Sequence, residues 1–391
     1  MILLTGGTGF LGAHLLAHLI ERGEEVILLA RSKQGIPAAD RVGRLLDWLG
    51  VAADRKKNVR VAEGRVDQPG LGLEPDASAL VFREVDEIVH CASSTSFAER
   101  KRAEVEAINL GGLDHVLDLA ERSGCRLFHL ISTAYVAGIT SGHCPEKIVR
   151  PSAFTNVYEE TKCRAEWLAA ERCARAGIRL SIYRPSIVYG HSETGRSLLF
   201  NALYYPVRAA LFLKSLYEKD IRERGGRRAA EMGVRIDAGG WTVMPIRIQA
   251  EDGGGINAVP VDFFVRAFGA IREEAGDGGI YHMVSSQPTK IEDIIEYGQA
   301  LYHIRGVSAC PAQKMEAKPR NSLEAVFETY LEAYGPYMRD RRIFGTEKAG
   351  PILAKKSLRC PPLTFDVFKR CLDFAVQCGW GSRLFMNLGT N

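Results

Sequence analysis

No stretch of this 391-residue sequence holds the roughly 20 uninterrupted apolar residues that a bilayer-spanning helix needs, because arginine, lysine, glutamate or several glycines break every candidate. Paired Cys-x-x-Cys spacing is missing as well. The nine cysteines, an odd number, are scattered, which argues against a disulfide framework or a structural zinc site and for free thiols in a reducing compartment. His143 and Cys144 have no partners at ligand spacing, so no metal is expected. Nor is there an excess of one charge: the formal net charge is +4 and basic residues are interspersed with acidic ones, which argues against a nucleic-acid binder held by one dominant phosphate-contacting patch. Ile2-Leu3-Leu4 begins almost at once, leaving no room for a charged leader, so the expectation is a cytoplasmic protein without a cleaved signal peptide. Low-complexity tracts and internal repeats are absent. What remains, 46% hydrophobic and 25% charged residues, is the composition of a globular chain able to bury a substantial core.

The first half alternates short apolar runs with segments of helical period. Strands are expected at Ile2 to Leu4, Glu25 to Leu29, Val59 to Ala62, Val85 to His90 and Leu127 to Ser132. Helices are expected at Leu11 to Arg22, around Ala39 to Leu49 and around Asn109 to Arg122. Such β-α alternation with fully apolar strands predicts an α/β fold, a doubly wound parallel Rossmann sheet with ligands at the strands' carboxyl ends. Residues 1–190 form this domain in that reading, with strands near 256–261 and 280–284 free to return to it. Residues 191–391 read as a smaller, mainly helical substrate lobe, ending in an amphipathic cap helix over Phe365 to Cys378.

Thr5-Gly6-Gly7-Thr8-Gly9-Phe10-Leu11-Gly12 follows the first strand and opens a helix, which puts Gly6, Gly9 and Gly12 at dinucleotide-loop spacing. Gly6 permits the tight turn, Gly9 the approach of the pyrophosphate and Gly12 close packing, while the helix N-terminus faces the phosphates. Thr8, Phe10 and Leu11 fall in the same loop. The second strand ends Leu29-Ala30-Arg31-Ser32-Lys33, with no acid to accept from ribose hydroxyls. Arg31 and Lys33 suit a 2′-phosphate, so NADPH is expected over NADH.

Tyr158 and Lys162 stand four apart in Asn156-Val157-Tyr158-Glu159-Glu160-Thr161-Lys162, on one face of an expected helix. A tyrosine is a poor acid near neutral pH unless a neighbouring ammonium lowers its pKa, and Lys162 is spaced to do so. Ser132 and Thr133 follow the strand ending at Ile131, where a hydroxyl could hold a substrate oxygen.

In this order, glycine loop, Ser132-Thr133, Tyr158 with Lys162, then Arg184-Pro185-Ser186-Ile187-Val188-Tyr189-Gly190, the sequence resembles the extended short-chain dehydrogenase/reductase superfamily over roughly residues 1–300. The resemblance implies that Tyr158 is the proton donor, that Lys162 binds the nicotinamide ribose, and that Thr133 orients the substrate oxygen with Ser132 in reserve. It further implies an adenine contact at Asp67, cofactor flanking by Ala92 and Ser93, support from Asn109, and a carboxamide contact at Pro185 and Ile187. His90 reads as a core imidazole, and Cys91 and Cys163 as packing thiols.

Ile131 to Ala137 and Arg184 to Gly195 look most like the fatty acyl-CoA reductase and thioester reductase branch, the male-sterility-like NAD(P)-binding group. That branch implies hydride transfer from NADPH to an acyl thioester, on coenzyme A or a carrier protein, giving aldehyde or alcohol. Leu198 to Leu216 could then line an acyl channel, with Arg222, Arg224, Arg227 and Arg228 for phosphates. The same stretch also reads as an ordinary core helix with a solvated basic end and, ranked last, as a membrane-surface helix. The alternatives are an NAD(P)-dependent sugar-nucleotide epimerase or dehydratase, a 3-hydroxysteroid-type dehydrogenase, or an NADPH-sensing protein without chemistry. A homodimer is left open.

Overall fold

The computed structural model describes residues 1–250, 255–382 and 384. Seven strands form one parallel sheet: β1 (Ile2–Thr5), β2 (Val26–Ala30), β3 (Val59–Glu63), β4 (Glu87–His90), β5 (Leu127–Ile131), β6 (Arg179–Pro185) and β7 (Gly279–Met283), in the order β7-β6-β5-β4-β1-β2-β3. The strand order reverses between β1 and β4, which opens a crevice at their carboxyl ends. Every residue of β1, β2 and β4 is buried, as expected when helices cover both faces. On one face pack the helices Phe10–Glu21, Ala38–Leu49 and Val261–Glu274, and on the other Gly112–Ser123 and Val157–Ala176.

Several expected elements are redrawn. The helix expected around Asn109 to Arg122 begins earlier, at Arg102, and passes through a π turn over Ala107–Gly111 before continuing to Ser123; such turns re-aim side chains, here Asn109. The strand expected over Ile256 to Val261 divides. Gly255–Ile256 pairs with Thr289–Lys290, and Ala258–Pro260 pairs in parallel with Ile187–Tyr189, so neither piece joins the main sheet, whereas β7 does. Chain beyond residue 190 therefore completes the Rossmann sheet.

The expected mainly helical lobe contains a sheet of its own. Thr242–Gln249 pairs in parallel with Ile304–Cys310 and antiparallel with Arg235–Ile236. Alternate residues of Thr242–Gln249 are buried against the helices Tyr204–Glu223 and Ser322–Leu331. The helix Phe365–Gln377 packs on Leu198, Phe200 and Tyr204 and on Ala13 and Leu45, tying the lobe to the nucleotide half. Arg342–Phe344 pairs with Gly142–Cys144, which fastens the C-terminal third across the front of the sheet. No helix among the described residues is long and apolar enough to cross a membrane.

Candidate functional site

A cleft of about 980 Å³ opens at the carboxyl end of the sheet. Its floor is the loop after β1. Gly6 has φ +73°, and a Cβ there would lie 2.5 Å from the Ala92 backbone nitrogen, so the loop and the chain after β4 meet backbone to backbone. At Gly12 a Cβ would lie 2.2 Å from the Gly6 carbonyl oxygen, and at Gly9 3.3 Å from it. The helix Phe10–Glu21 has no side-chain cap and no acidic residue in its first turn, so its free N–H groups and positive dipole end face the cleft lined by Gly6, Thr8, Gly9, Phe10, Leu11 and Gly12. Such a cradle fits the diphosphate of a dinucleotide.

Just past β2, Arg31 and Lys33 stand near Arg41, whose Nη1 donates to the Arg31 carbonyl at 2.5 Å. Burial lowers the Lys33 pKa, and Arg31 and Arg41 lower it further. Burial likewise lowers that of Arg41, with Arg31 adding to the effect. Arg41 had no motif to announce it. Asp67 is held by Arg65 at 2.7 and 3.0 Å, a fork that keeps its carboxyl below the usual range. Asn109 is buried and stands behind the cleft wall: its Oδ1 accepts from Ser93 Oγ and Ser94 N, and its Nδ2 donates to the Ser94 carbonyl and Thr161 Oγ1 at 3.1 and 3.0 Å. It thereby binds the loop after β4 to the helix that carries Tyr158.

Ser93, Thr133, Tyr158, Lys162, Pro185 and Ile187 all line the cleft. Lys162 is buried and its Nζ donates to the Ile131 carbonyl at 2.6 Å; burial lowers its pKa to about 8. Tyr158 departs from expectation. Burial pushes its hydroxyl up, opposed chiefly by a hydrogen bond with Thr133, and Lys162 is not among the groups acting on it. Ser132 also departs from it. It touches the cleft, but its hydroxyl donates to Glu166 Oε1 at 2.6 Å. Glu166 in turn forms a fork with buried Arg184 at 2.9 and 2.5 Å. The Ser132 hydroxyl is thus committed to a buried ion pair whose breakage would cost about 3–5 kcal/mol, whereas the Thr133 hydroxyl, also at the cleft wall, makes longer bonds, donating to the Pro185 carbonyl at 3.4 Å and accepting from Tyr135 N at 3.3 Å. His90 bonds Thr5 and burial lowers its pKa to about 3; Cys91 borders the cleft as a thiol that burial pushes up to about 12.

The opposite wall comes from chain that carried no legible motif. Phe97, Tyr205, Tyr334 and Tyr337 line it. The Tyr337 hydroxyl donates to Glu159 Oε1 at 2.7 Å and accepts from Asn156 Nδ2 at 2.8 Å. Of the expected acyl channel, Leu198, Leu199 and Tyr205 reach the cleft. Leu203, Tyr204 and Val207 are core, and Phe212 and Leu216 are exposed. The arginines at 222, 224, 227 and 228 lie outside the cleft lining, two of them paired along their own helices with Glu218 and Glu231. Among the described residues no group of three or more His, Cys, Asp or Glu could hold a metal.

A doubly wound sheet with an uncapped glycine-loop helix at its switch point, and a Thr-Tyr-Lys set beside it, defines a Rossmann oxidoreductase of the extended short-chain dehydrogenase/reductase type. More narrowly, the chain belongs to the male sterility protein family of NAD-binding domains, whose profile matches residues 4–268. It is 27% identical over 310 residues to the glycine betaine reductase ATRR of Emericella nidulans, covering 75% of this chain and 22% of that one. The fold is shared with the terminal R domain from the myxalamid PKS-NRPS biosynthetic pathway (TM-score 0.75, 23% identity, 97% and 91% of the two chains). It is also shared with the UDP-glucuronic acid 4-epimerase of Bacillus cereus in complex with UDP-glucuronic acid and NAD (TM-score 0.63, 16% identity, 96% and 99%). The chain thus spans about a fifth of the length of that curated relative.

Proposed function

We propose that this chain is an NADPH-dependent reductase of acyl thioesters presented on a carrier's arm, releasing the acyl group as an aldehyde. The observation that carries this reading is the position of Thr133 and Tyr158, which touch on one wall of a cleft that continues past them into an aromatic, largely uncharged half. When bound, NADPH supplies the hydride. Thr133 orients the thioester oxygen, and the Tyr158 hydroxyl protonates it as the carbonyl carbon becomes tetrahedral. As the resulting hemithioacetal collapses, its O–H proton returns to Tyr158, the C–S bond breaks, and the departing thiolate takes a proton from water. Lys162, cationic below about pH 8, would bind the nicotinamide ribose and so hold the hydride donor beside Tyr158.

The preference for NADPH over NADH rests on Arg31, Lys33 and Arg41, where burial and then the neighbouring cations lower the proton affinity of Lys33 and Arg41, a crowding of charge that a 2′-phosphate would relieve. A carrier is favoured over coenzyme A and over a sugar nucleotide by the lining residues, among which Lys162 is the single basic one described; nucleotide phosphates on the substrate side would meet no guanidinium. Male sterility family membership and the likeness to a reductase of Emericella nidulans support reductase chemistry over epimerisation.

The test is NADPH consumption by the purified chain with a panel of S-acyl pantetheine thioesters, followed by chromatography of the product. Aldehyde formed in step with oxidation supports the reading. Reduction of UDP-sugars or free ketones, with no thioester consumed, overturns it.

A further inference from the structure

The cleft's aromatic half carries more information than a hydrophobic acyl site needs. Phe97 comes from the loop after β4, Tyr205 from the helix Tyr204–Glu223, and Tyr334 and Tyr337 from the segment after Leu331. Their ring centroids nevertheless close on one another, Phe97 lying 5.9 Å from Tyr334 and 5.7 Å from Tyr337, and Tyr205 5.4 Å from Tyr334. All four border the same space. Phe97 is also 6.0 Å from the ring of Tyr158, so this box adjoins the group that would protonate the carbonyl.

Charge points in one direction. The acids among the described lining residues are Glu99 and Glu332, and the one base is Lys162, whose ammonium is held at the cofactor end by Ile131. Glu99 is engaged by Arg102 at 2.5 and 3.1 Å, which leaves Glu332, exposed at the rim, as the carboxylate facing the box. Tyr337 adds to the effect, because its hydroxyl donates to the buried Glu159 carboxylate and so raises electron density in its ring. Electron-rich ring faces beside a carboxylate attract a cation, and desolvation strengthens that attraction. A neutral alkyl chain would draw no benefit from it.

Building on the thioester reading, we propose that the acyl group selected by this cleft carries a positively charged nitrogen close to the thioester carbonyl, held among Phe97, Tyr205, Tyr334 and Tyr337. Ammonium-bearing aminoacyl groups and trimethylammonioacetyl belong to this class.

Two pantetheine thioesters of equal shape test it, those of trimethylammonioacetate and of 3,3-dimethylbutanoate, which differ by N⁺ against C. Binding to the full chain is measured by calorimetry with NADP⁺ present, and turnover separately with NADPH. The cationic ester is expected to bind about tenfold more tightly. Tyr334→Leu should bring the ratio near one, whereas Tyr334→Phe, which keeps the ring, preserves it. Should Tyr334→Leu lose NADP⁺ binding and so fail as a folded protein, Glu332→Gln takes its place, with an expected drop of about two- to threefold in the ratio. Equal binding of the two esters, or tighter binding of the neutral one, overturns the inference even if both are reduced. Cation-selective binding without reduction of either ester sustains the box and removes the thioester chemistry.

Discussion

Two helix N-termini border the cleft and are built in opposite ways. The helix Phe10–Glu21 starts at Gly9, with no side-chain cap and no acid in its first turn. The helix Val157–Ala176 is capped by Asn156, which accepts from Glu159 N at 3.1 Å, while Glu159 and Glu160 occupy its first turn. Glu159 returns to Thr155 N at 3.0 Å, and Tyr337 spans both cap residues. The first terminus leaves its donors and dipole for an anion from outside. The second satisfies its own, which fixes the turn that carries Tyr158. In the proposed reaction, one helix start would be the cofactor's binding site and the other the mount for a proton donor.

The sharpest separation of these roles comes from Tyr158→Phe, which should lower turnover by about two to four powers of ten with NADPH affinity intact; unchanged turnover would break the assignment. The second terminus also sets a pH dependence. Burial lowers the pKa of Lys162 to about 8, so the side chain is cationic below that pH and neutral above it. Thioester kcat/KM should therefore decline above about pH 8, by about tenfold per unit, and a profile flat to pH 10 would show that the reaction does not need the Lys162 charge. At the first terminus, Gly12→Ala drives a Cβ toward the Gly6 carbonyl and should weaken NADPH binding about ten- to a hundredfold, measured by fluorescence titration. Arg31→Ala should weaken NADPH by about tenfold and NADH hardly at all, and equal weakening would defeat the 2′-phosphate assignment. The smallest effect is expected of Asn156→Ala, about 1 kcal/mol of stability by denaturant unfolding, with NADPH affinity kept. A loss of cofactor binding there would mean that the two termini are not separate devices.

The legible and illegible parts divide along similar lines. Strands β1 to β5 and the helices Phe10–Glu21, Ala38–Leu49 and Gly112–Ser123 were readable because their apolar residues recur at strand or helix period, whereas the helix Pro75–Glu84 between β3 and β4 was not expected, and the cleft gathers Thr133, Tyr158, Lys162, Pro185 and Ile187, residues that lie in recognisable strings. The lobe sheet was missed although signals existed. Thr242, Met244, Ile246 and Ile248 are buried in strict alternation, and Asn321 with Glu324 forms a capping box that marks the start of its helix. Tyr337, Tyr334 and Phe97 gave no such signal, since isolated aromatics far apart in sequence have no period to reveal them. Ser132 illustrates the reverse error. Its place beside Thr133 suggested a spare hydroxyl, but Glu166 and Arg184, brought together from a helix and a strand, claim it.

From the sequence alone came the Rossmann architecture, the anion-binding helix start and the Tyr-Lys pair, because strand and helix periods, a glycine loop and a four-residue spacing are local properties of the chain. Tertiary structure alone decided which hydroxyl a buried ion pair claims, which cations gather with Arg31, and which rings line the cleft, because each depends on side chains from distant segments arriving within hydrogen-bond or ring-contact distance, and no local pattern encodes that meeting.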